Sequence, residues 1–476
     1  MRSIFPGIES ERGCCSAKGA RNDLIELSNV QNPTYGVSAT YYKLGTNLTT
    51  TLMLNNKGPE PILAMPRIYS LTGTRLHLAP ISVPATSYLD IDMNELLAAA
   101  GPDFREGSLK INYQGGDYQL GAQVKMMNEQ NGLIWAEQLV YTSKFVSNKL
   151  ENVWWLPTEN METRLVVSNT SYSSVTVTLS VDGTTPHQSV PIQITLARSE
   201  TRVLDIMADL VGSPSAVLHN KGGVSITHTG NPGAVLARMF VAKPSHGYSA
   251  SLPFIDPENT TSQKWHGNGL RLKNLNGASL TPLLIARNTS DQISRIRGKI
   301  PYTRPNGEMA AVNVPVTNIS PSSTRIINLQ NLLNGANVPA SVNHAGIELE
   351  YDTPKGTLIV QVQSVSQNGE HVFQVPMFDP QKTPSSAGGY PWKADGDFHT
   401  ILYIKNETDQ PKKYTAFMSW DGGGYSLGVK EIKRNQTLAI DFRELRDNQT
   451  PDVNETLGIA STYACYNCCG DSFYDG

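Results

Sequence analysis

LVVSNTSYSSVTVTLSVDG, residues 165–183, is the stretch whose reading decides the fold. Val175, Val177, Leu179 and Val181 alternate with Thr176, Thr178 and Ser180. A period of two sets one side of a strand against a core and the other in water. The apolar run Leu165–Val167 just before it ends in Asn169. The same signpost recurs as LMLNNKG at 52–58, LLIARNTS at 283–290 and LYIKNET at 402–408. Taking Asn55, Asn169, Asn288 and Asn406 as equivalent gives spacings of 114, 119 and 118 residues.

A second signpost follows in each copy: YLDIDMNEL, RVLDIMADL, RIINLQNLL and LAIDFREL. It aligns Asp92, Asp205, Asn328 and Asp441, at 37, 36, 40 and 35 residues beyond the first Asn. Each is expected to cap one short helical turn, because its side-chain oxygen can accept from the free N–H groups that follow. A third signpost is GSLKI at 107–111, GGVSI at 222–226, AGIEL at 345–349 and LGIAS at 457–461. Three ordered signposts in four copies mark an internal duplication. The expected fold is all-β: four tandem antiparallel β-sandwich units, each with at most one short helical turn. The expected units are residues 23–145, 146–262, 263–388 and 389–476, after a disordered segment 1–22. The fourth is expected to be incomplete, since only 17 residues follow Ile459, with a Cys-rich tail at 465–476. An unfinished sandwich would expose a strand edge and invite self-association or strand donation there.

Composition agrees with many short strands. Charged residues are 17% of the chain, below the usual ~25%, and hydrophobic residues are 39%. A net charge of −3 with no basic block argues against a nucleic-acid partner. No apolar run reaches the ~20 residues of a transmembrane helix. The start, MRSIFPGIESERGCCSAKG, lacks the apolar stretch of a secretory signal. Another export route, a start further upstream and an internal protein all remain open.

The units resemble uncharacterised bacterial surface proteins built from Ig-like or fibronectin-like sandwiches. In those an N-x-G/S turn follows the first strand and an L-D-[LI] motif follows the middle strands. The resemblance covers about residues 45–465. It implies an extracellular or cell-envelope setting and a non-enzymatic role, and transfers no site residues. Copy one, from LNNKG through PISVPATSYLDID, is also similar to the small sandwich of sensory-rhodopsin-transducer-type proteins, with VPA at Val83–Ala85. The CxxCC tail looks like a segment that precedes a further Ig-like domain in such surface proteins.

Candidate chemistry is sparse. No nucleophile elbow, zinc-protease pair, phosphate loop or EF-hand loop is present. The nine histidines keep no aligned position across the copies. Asp90, Asp92 and Glu95 could offer oxygens to calcium, but Asp92 already has a role as a cap. No cofactor is expected. Cys465, Cys468 and Cys469 form the densest cluster. A disulfide is its first reading, unpaired thiols the second and a zinc site the third. The N-x-[ST] triplets at Asn169, Asn259, Asn288 and Asn406 read as exposed turns. Tryptophans recur at the unit starts: Trp154, Trp155, Trp265 and Trp392. They either pack at sandwich ends and junctions or form sugar platforms.

The leading functional reading is a non-catalytic structural or adhesion array of a bacterial cell surface or a secreted protein, with a protein or glycan ligand. The alternative is a carbohydrate-binding array using exposed aromatics such as Trp265, Trp420 and Tyr425. An enzyme of unrecognised type is the third.

Overall fold

Strand accounts for 58% of the described residues against 9% helix in the computed structural model, so the protein is all-β. The structure describes residues 34–476 apart from 157–160, 186–190, 212–216, 275–276, 368–371, 383–391, 394–399, 421–422, 449, 451–462 and 465–476.

The first sandwich contains β1 (Thr34–Lys43), β2 (Leu48–Asn56), β3 (Ile62–Ser70), β4 (Arg75–His77), β5 (Ile81–Val83), β6 (Tyr88–Asp92), α1 (Met93–Leu96), β7 (Glu106–Gln114), β8 (Leu120–Asn128) and β9 (Ile134–Gln138). The second has β10 (Lys149–Glu151), β11 (Trp154–Trp155), β12 (Glu162–Asn169), β13 (Val175–Thr185), β14 (Ile192–Leu196), β15 (Thr201–Asp205), β16 (Val217–His228), β17 (Val235–Lys243) and β18 (Tyr248–Pro253). The third has β19 (Lys264–Arg271), β20 (Thr281–Asn288), β21 (Ser294–Thr303), β22 (Met309–Ile319), β23 (Ser323–Asn328), α2 (Leu329–Gly335), β24 (His344–Tyr351), β25 (Leu358–Val365), β26 (Val372–Val375) and β27 (Met377–Phe378). Described residues of the fourth form β28 (Trp392–Lys393), β29 (Ile401–Lys405), β30 (Lys412–Trp420), β31 (Gly423–Ile432), β32 (Thr437–Asp441), α3 (Phe442–Asp447) and β33 (Tyr463–Ala464).

One topology repeats. A lead sheet has the order β1-β7-β3-β4 in the first sandwich, β10-β16-β13-β14 in the second and β27-β19-β24-β21-β22 in the third. An anchor sheet has the orders β6-β2-β8-β9, β15-β12-β17-β18 and β23-β20-β25-β26. The fourth shows the matching pairs β28–β33, β29–β32 and β30–β31. All are antiparallel. The alternating residues of β13 fill the second core: Val175, Val177, Leu179 and Val181 are all buried.

The anchor sheet takes its name from one buried asparagine. Asn169 Nδ2 donates to Ser173 O at 2.7 Å and to Ala197 O at 2.8 Å. Its Oδ1 accepts from Ser171 N at 2.9 Å and Ser171 Oγ at 2.7 Å. Asn288 repeats this with Gln292, Ser320 and Ser290, and Asn406 with Gln410, Lys433 and Thr408. In the first sandwich the residue that does this is Asn56, which donates to Glu60 O and Pro84 O and accepts from Gly58 N. The alignment on Asn55 is therefore corrected by one residue. Gly58 has no hydroxyl, and Gln119 Nε2 donates to Asn56 Oδ1 at 2.9 Å instead. The turn that the asparagine grips holds a non-glycine residue at positive φ in every copy: Thr86, Ser199, Ser322 and Asn435. Such a conformation persists only where surrounding bonds fix it.

The N-x-[ST] triplets at Asn169, Asn288 and Asn406 are thus not exposed turns. All three asparagines are buried. The triplet arises because the second residue after the asparagine supplies both an N–H and a hydroxyl.

The capping signpost has the expected geometry. Asp92 accepts from Asn94 N, Asn328 from Gln330 N and Asp441 from Glu444 N. Asp205 accepts from Met207 N and Ala208 N, each at 2.9 Å.

A second carboxylate fastens the ends of a sandwich together. Asp379 follows β27 and accepts from Thr261 N (2.5 Å), Ser262 N (3.0 Å) and Ser262 Oγ (2.6 Å), just before β19. Asp256 does the same for the second sandwich, binding Val146 N and Ser147 N and Oγ. Burial alone would raise both acids. The donated bonds outweigh it, lowering Asp256 and holding Asp379 at about 2.

Candidate functional site

The distinctive sites of this chain lie where one sandwich meets the next. The lead sheet of each sandwich lies against the anchor sheet of its successor: β1 against β12 and β17, β16 against β20 and β23, β19 against β29 and β32. Strands β12 and β20 are therefore buried on both sides over Leu165–Asn169 and Pro282–Asn288. A strand covered on both faces reads as a continuous apolar run rather than an alternating one. The first anchor strand β2 has no preceding sandwich among the described residues, and its burial alternates over Thr49–Leu54.

At the first junction Val166 and Phe240 join the core cluster of the first sandwich. The Tyr41 and Phe240 rings pack with centroids 5.4 Å apart. Ser168 Oγ donates to Thr40 O at 2.6 Å, and Thr201 N to Leu71 O at 2.9 Å. Gly73, at positive φ, lies so close to Arg198 O that a Cβ would fall 2.3 Å from it. Beneath this contact Glu137 accepts from Thr40 N at 2.5 Å and Tyr41 N at 3.2 Å. Burial raises the Glu137 carboxyl despite the opposing pull of Arg238 from the second sandwich.

The second junction buries a charge cluster inside an apolar patch. Arg287 is 3% exposed at its side chain. It donates to Glu151 Oε2 (2.6 Å), Asn152 O (3.0 Å) and Ser225 Oγ (2.9 Å), and binds Asp182 through Nε (3.0 Å) and Nη2. A guanidinium can satisfy this many acceptors because its donors fan out in one plane. Gly223 makes room for it, since a Cβ there would lie 2.3 Å from Arg287 Cδ. Around the cluster Val153, Leu283, Ile285, Ile359 and Val365 form a core that belongs to neither sandwich alone.

The third junction repeats the scheme with a lysine. The side chain of Lys405 is fully buried, 3.1 Å from Glu348 Oε1 and 2.8 Å from Glu407 Oε1. Lys299 pairs with Glu348 at 2.9 Å, and His266 Nδ1 binds Glu407 Oε2. Burial would raise both glutamates; the cations and the His266 bond outweigh it and lower them. Ser168, Arg287 and Lys405 share one sequence position, directly before the anchor asparagine. An ionisable residue at that position, Arg287 or Lys405, was the available signal for a buried junction, and sequence reasoning missed it.

The first junction also opens into a cleft of about 390 Å³. Its floor is Met126, Leu133, Val166, Phe240 and Val241, with Trp135 and Leu48 on the walls. Lys43, Asn128, Gln130, Glu162 and Arg164 stand among its lining residues as the polar margin. Trp135 is fixed by its indole N–H, which donates to Val241 O across the junction at 3.3 Å.

The aromatics proposed as sugar platforms fall elsewhere. Trp265 is 7% exposed, sits in the third core and donates through Nε1 to Leu358 O at 3.1 Å. Tyr425 is 1% exposed in the fourth core. Both are corrected from exposed platforms to core residues: each ring faces the interior side of its pleated strand. Trp420 lies in β30, and its side chain is outside the described residues. Trp154 is fully buried in the second core, and Trp155 packs against the shared patch of the second junction. Cys465, Cys468 and Cys469 lie outside the described residues, as does the third signpost of copy four. Among the described residues no group of three or more His, Cys, Asp or Glu side chains is arranged to hold a metal ion. No described helix is long and apolar enough to cross a membrane.

No family model matches this chain, and no curated protein does. Among solved structures it is similar to a Thermotoga maritima protein designated 1070, with 18% identity and a TM-score of 0.18. That match covers 25% of this chain and 90% of the other.

Proposed function

We propose that the chain is a non-catalytic scaffold, a structural or adhesion array that holds its sandwiches and their loops in fixed register. The observation that carries this reading is the face-to-face docking with a charge buried at two successive junctions. Flexible strings of domains meet through small polar contacts. Here Arg287 and Lys405 are removed from water; the partners named for Arg287 all belong to the preceding sandwich, as does Glu348, one of the two carboxylates that hold Lys405. A buried ion left without its partner costs several kcal/mol. The perturbed carboxylates also serve cohesion: Asp256 and Asp379 clasp ends, and Glu348 and Glu407 hold the third junction.

The test is a distance distribution. Spin labels introduced through unnatural amino acids at the exposed Tyr172 and Val316 would report on the second and third sandwiches without touching the cysteines. A single narrow distance is expected, broadening in Arg287→Ala. A broad distribution in the unmodified array would sink the scaffold reading. The bacterial surface or secreted setting belongs to the same proposal and is tested apart. Labelling of intact cells with a membrane-impermeant reagent is expected to reach the protein, and exclusively internal protein would remove that setting alone.

A further inference from the structure

We infer that the cleft at the first junction binds a small amphipathic carboxylate, with its apolar chain or ring on the cleft floor and its carboxylate at Arg164. The inference goes beyond the scaffold reading and does not depend on it.

Three observations carry it. First, the cavity is of ligand size: about 390 Å³ lies within the few hundred Å³ of small-molecule sites, which favour domain interfaces. Second, its floor is apolar and held rigidly. Met126, Val166, Phe240 and Val241 are buried parts of packed strands, Leu133 is buried in the turn that leads into β9, and Trp135 is pinned by its bond to Val241 O. The floor therefore cannot collapse to fill the space without dismantling the junction. Third, the margin offers a cation that is weakly engaged. Arg164 is half exposed, and its ion pair among the described residues is a 3.7 Å contact with Glu162 on the same strand. An exposed pair of this kind contributes little and exchanges readily. A guanidinium presents a planar fork that matches a carboxylate. Lys43, paired with Glu106 at 3.3 Å, adds a second positive charge to the lining. Asn128 and Gln130 add amide groups to the same lining.

The full chain would be titrated by calorimetry with octanoate, 1-octanol and octylammonium, which share a tail and differ in the head. Saturable one-to-one binding is expected for octanoate, about tenfold tighter than for octanol, with octylammonium weakest. Arg164→Gln should lower octanoate affinity by about tenfold and leave octanol unchanged. Leu48→Trp, placed on the half-buried wall, should weaken both. Both substitutions lie outside the fully buried core, and an unchanged melting temperature would show that each variant folds. A photoreactive octanoate analogue gives a location independent of the variants, with expected labelling of peptides carrying Met126, Trp135 or Phe240. Absence of saturation, equal affinity for the three heads, or labelling confined to other peptides would each overturn the assignment.

Discussion

Asn288 makes the case at the scale of one residue. It is wholly buried, and its amide donates to three carbonyls, those of Gln292, Ile319 and Ser320. Removing the amide leaves buried acceptors unpaired, at about 1–3 kcal/mol for each that water cannot reach. Asn288→Ala should therefore lower the stability of the third sandwich by about 3–5 kcal/mol in urea titration. Asn288→Asp should fail as well, because a carboxylate cannot donate. A loss below about 1 kcal/mol would refute the anchor role. The same burial predicts that glycosylating hosts leave Asn169, Asn288 and Asn406 unmodified in folded protein, which mass spectrometry of the tryptic peptides can check. Asp379 carries a pH signature. Its folded pKa of about 2 lies below the unfolded value near 3.8. Its contribution is then complete above the unfolded pKa and is lost as pH falls toward about 2, amounting to about 2 kcal/mol. Acid titration of stability in the native chain and in Asp379→Asn should show that difference closing between about pH 5 and pH 2. Much of this residue scale was legible. The capping residues Asp92, Asp205, Asn328 and Asp441 were found from spacing alone, because a cap needs one side-chain oxygen next to the N–H groups it serves. The anchor was placed one residue early in copy one, because LNNKG offers two asparagines. The rule that separates them is the partner two residues on, Gly58 beside Asn56 and Ser171 beside Asn169, and only the bonded geometry shows that rule.

At the scale of the element, the informative comparison is β2 with β12 and β20. All three pair in the same way with their neighbours in the anchor sheet. Their side chains differ: Thr49, Thr51 and Met53 face outward on β2, whereas β12 and β20 turn Val166 and Ile285 to the preceding sandwich. Alternation against continuous apolarity thus records which anchor sheets are docked. The pattern was present in the sequence, but a short apolar run alone does not say what covers its second face. The junction glycine gives a sharper expectation. Gly223→Ala would place a methyl 2.3 Å from Arg287 Cδ and 2.4 Å from Asn152 O, part of it rigid backbone. The guanidinium must then move away from Glu151 and Asp182. Gly223→Ala should reproduce most of the effect of Arg287→Ala, a loss of about 3–5 kcal/mol at the second junction. A double-mutant cycle checks this, because the second substitution should add little to the first. Full additivity would show that the glycine acts elsewhere.

At the scale of the whole molecule, three copies of one topology and a fourth that shares its described strand pairs do not by themselves make independent domains. The core formed by Val153, Leu283, Ile285, Ile359 and Val365 is completed only when the second and third sandwiches meet. Each such side chain contributes about 1.5–3 kcal/mol on full burial, and that gain is absent from a sandwich expressed alone. Repeats coupled through their interfaces unfold together more than they unfold separately. A fragment spanning residues 261–382 keeps both clasp partners of Asp379 but uncovers Leu283, Ile285 and Ile359 on one face. It should fold less stably than the third sandwich within the chain, and should self-associate through that face. The first sandwich shows a remedy, since its equivalent face carries Thr51, Met53, Gly121 and Gln123, all partly exposed, with no sandwich docked on it among the described residues. Replacing Leu283 and Ile285 by threonine and Ile359 by glutamine in the fragment should restore a monomer without repacking its own core. Sedimentation velocity on the two fragments decides the matter. If the unmodified fragment is already monomeric and as stable as the array, the shared core is only contact, and the sandwiches are coupled by their linkers rather than by their faces.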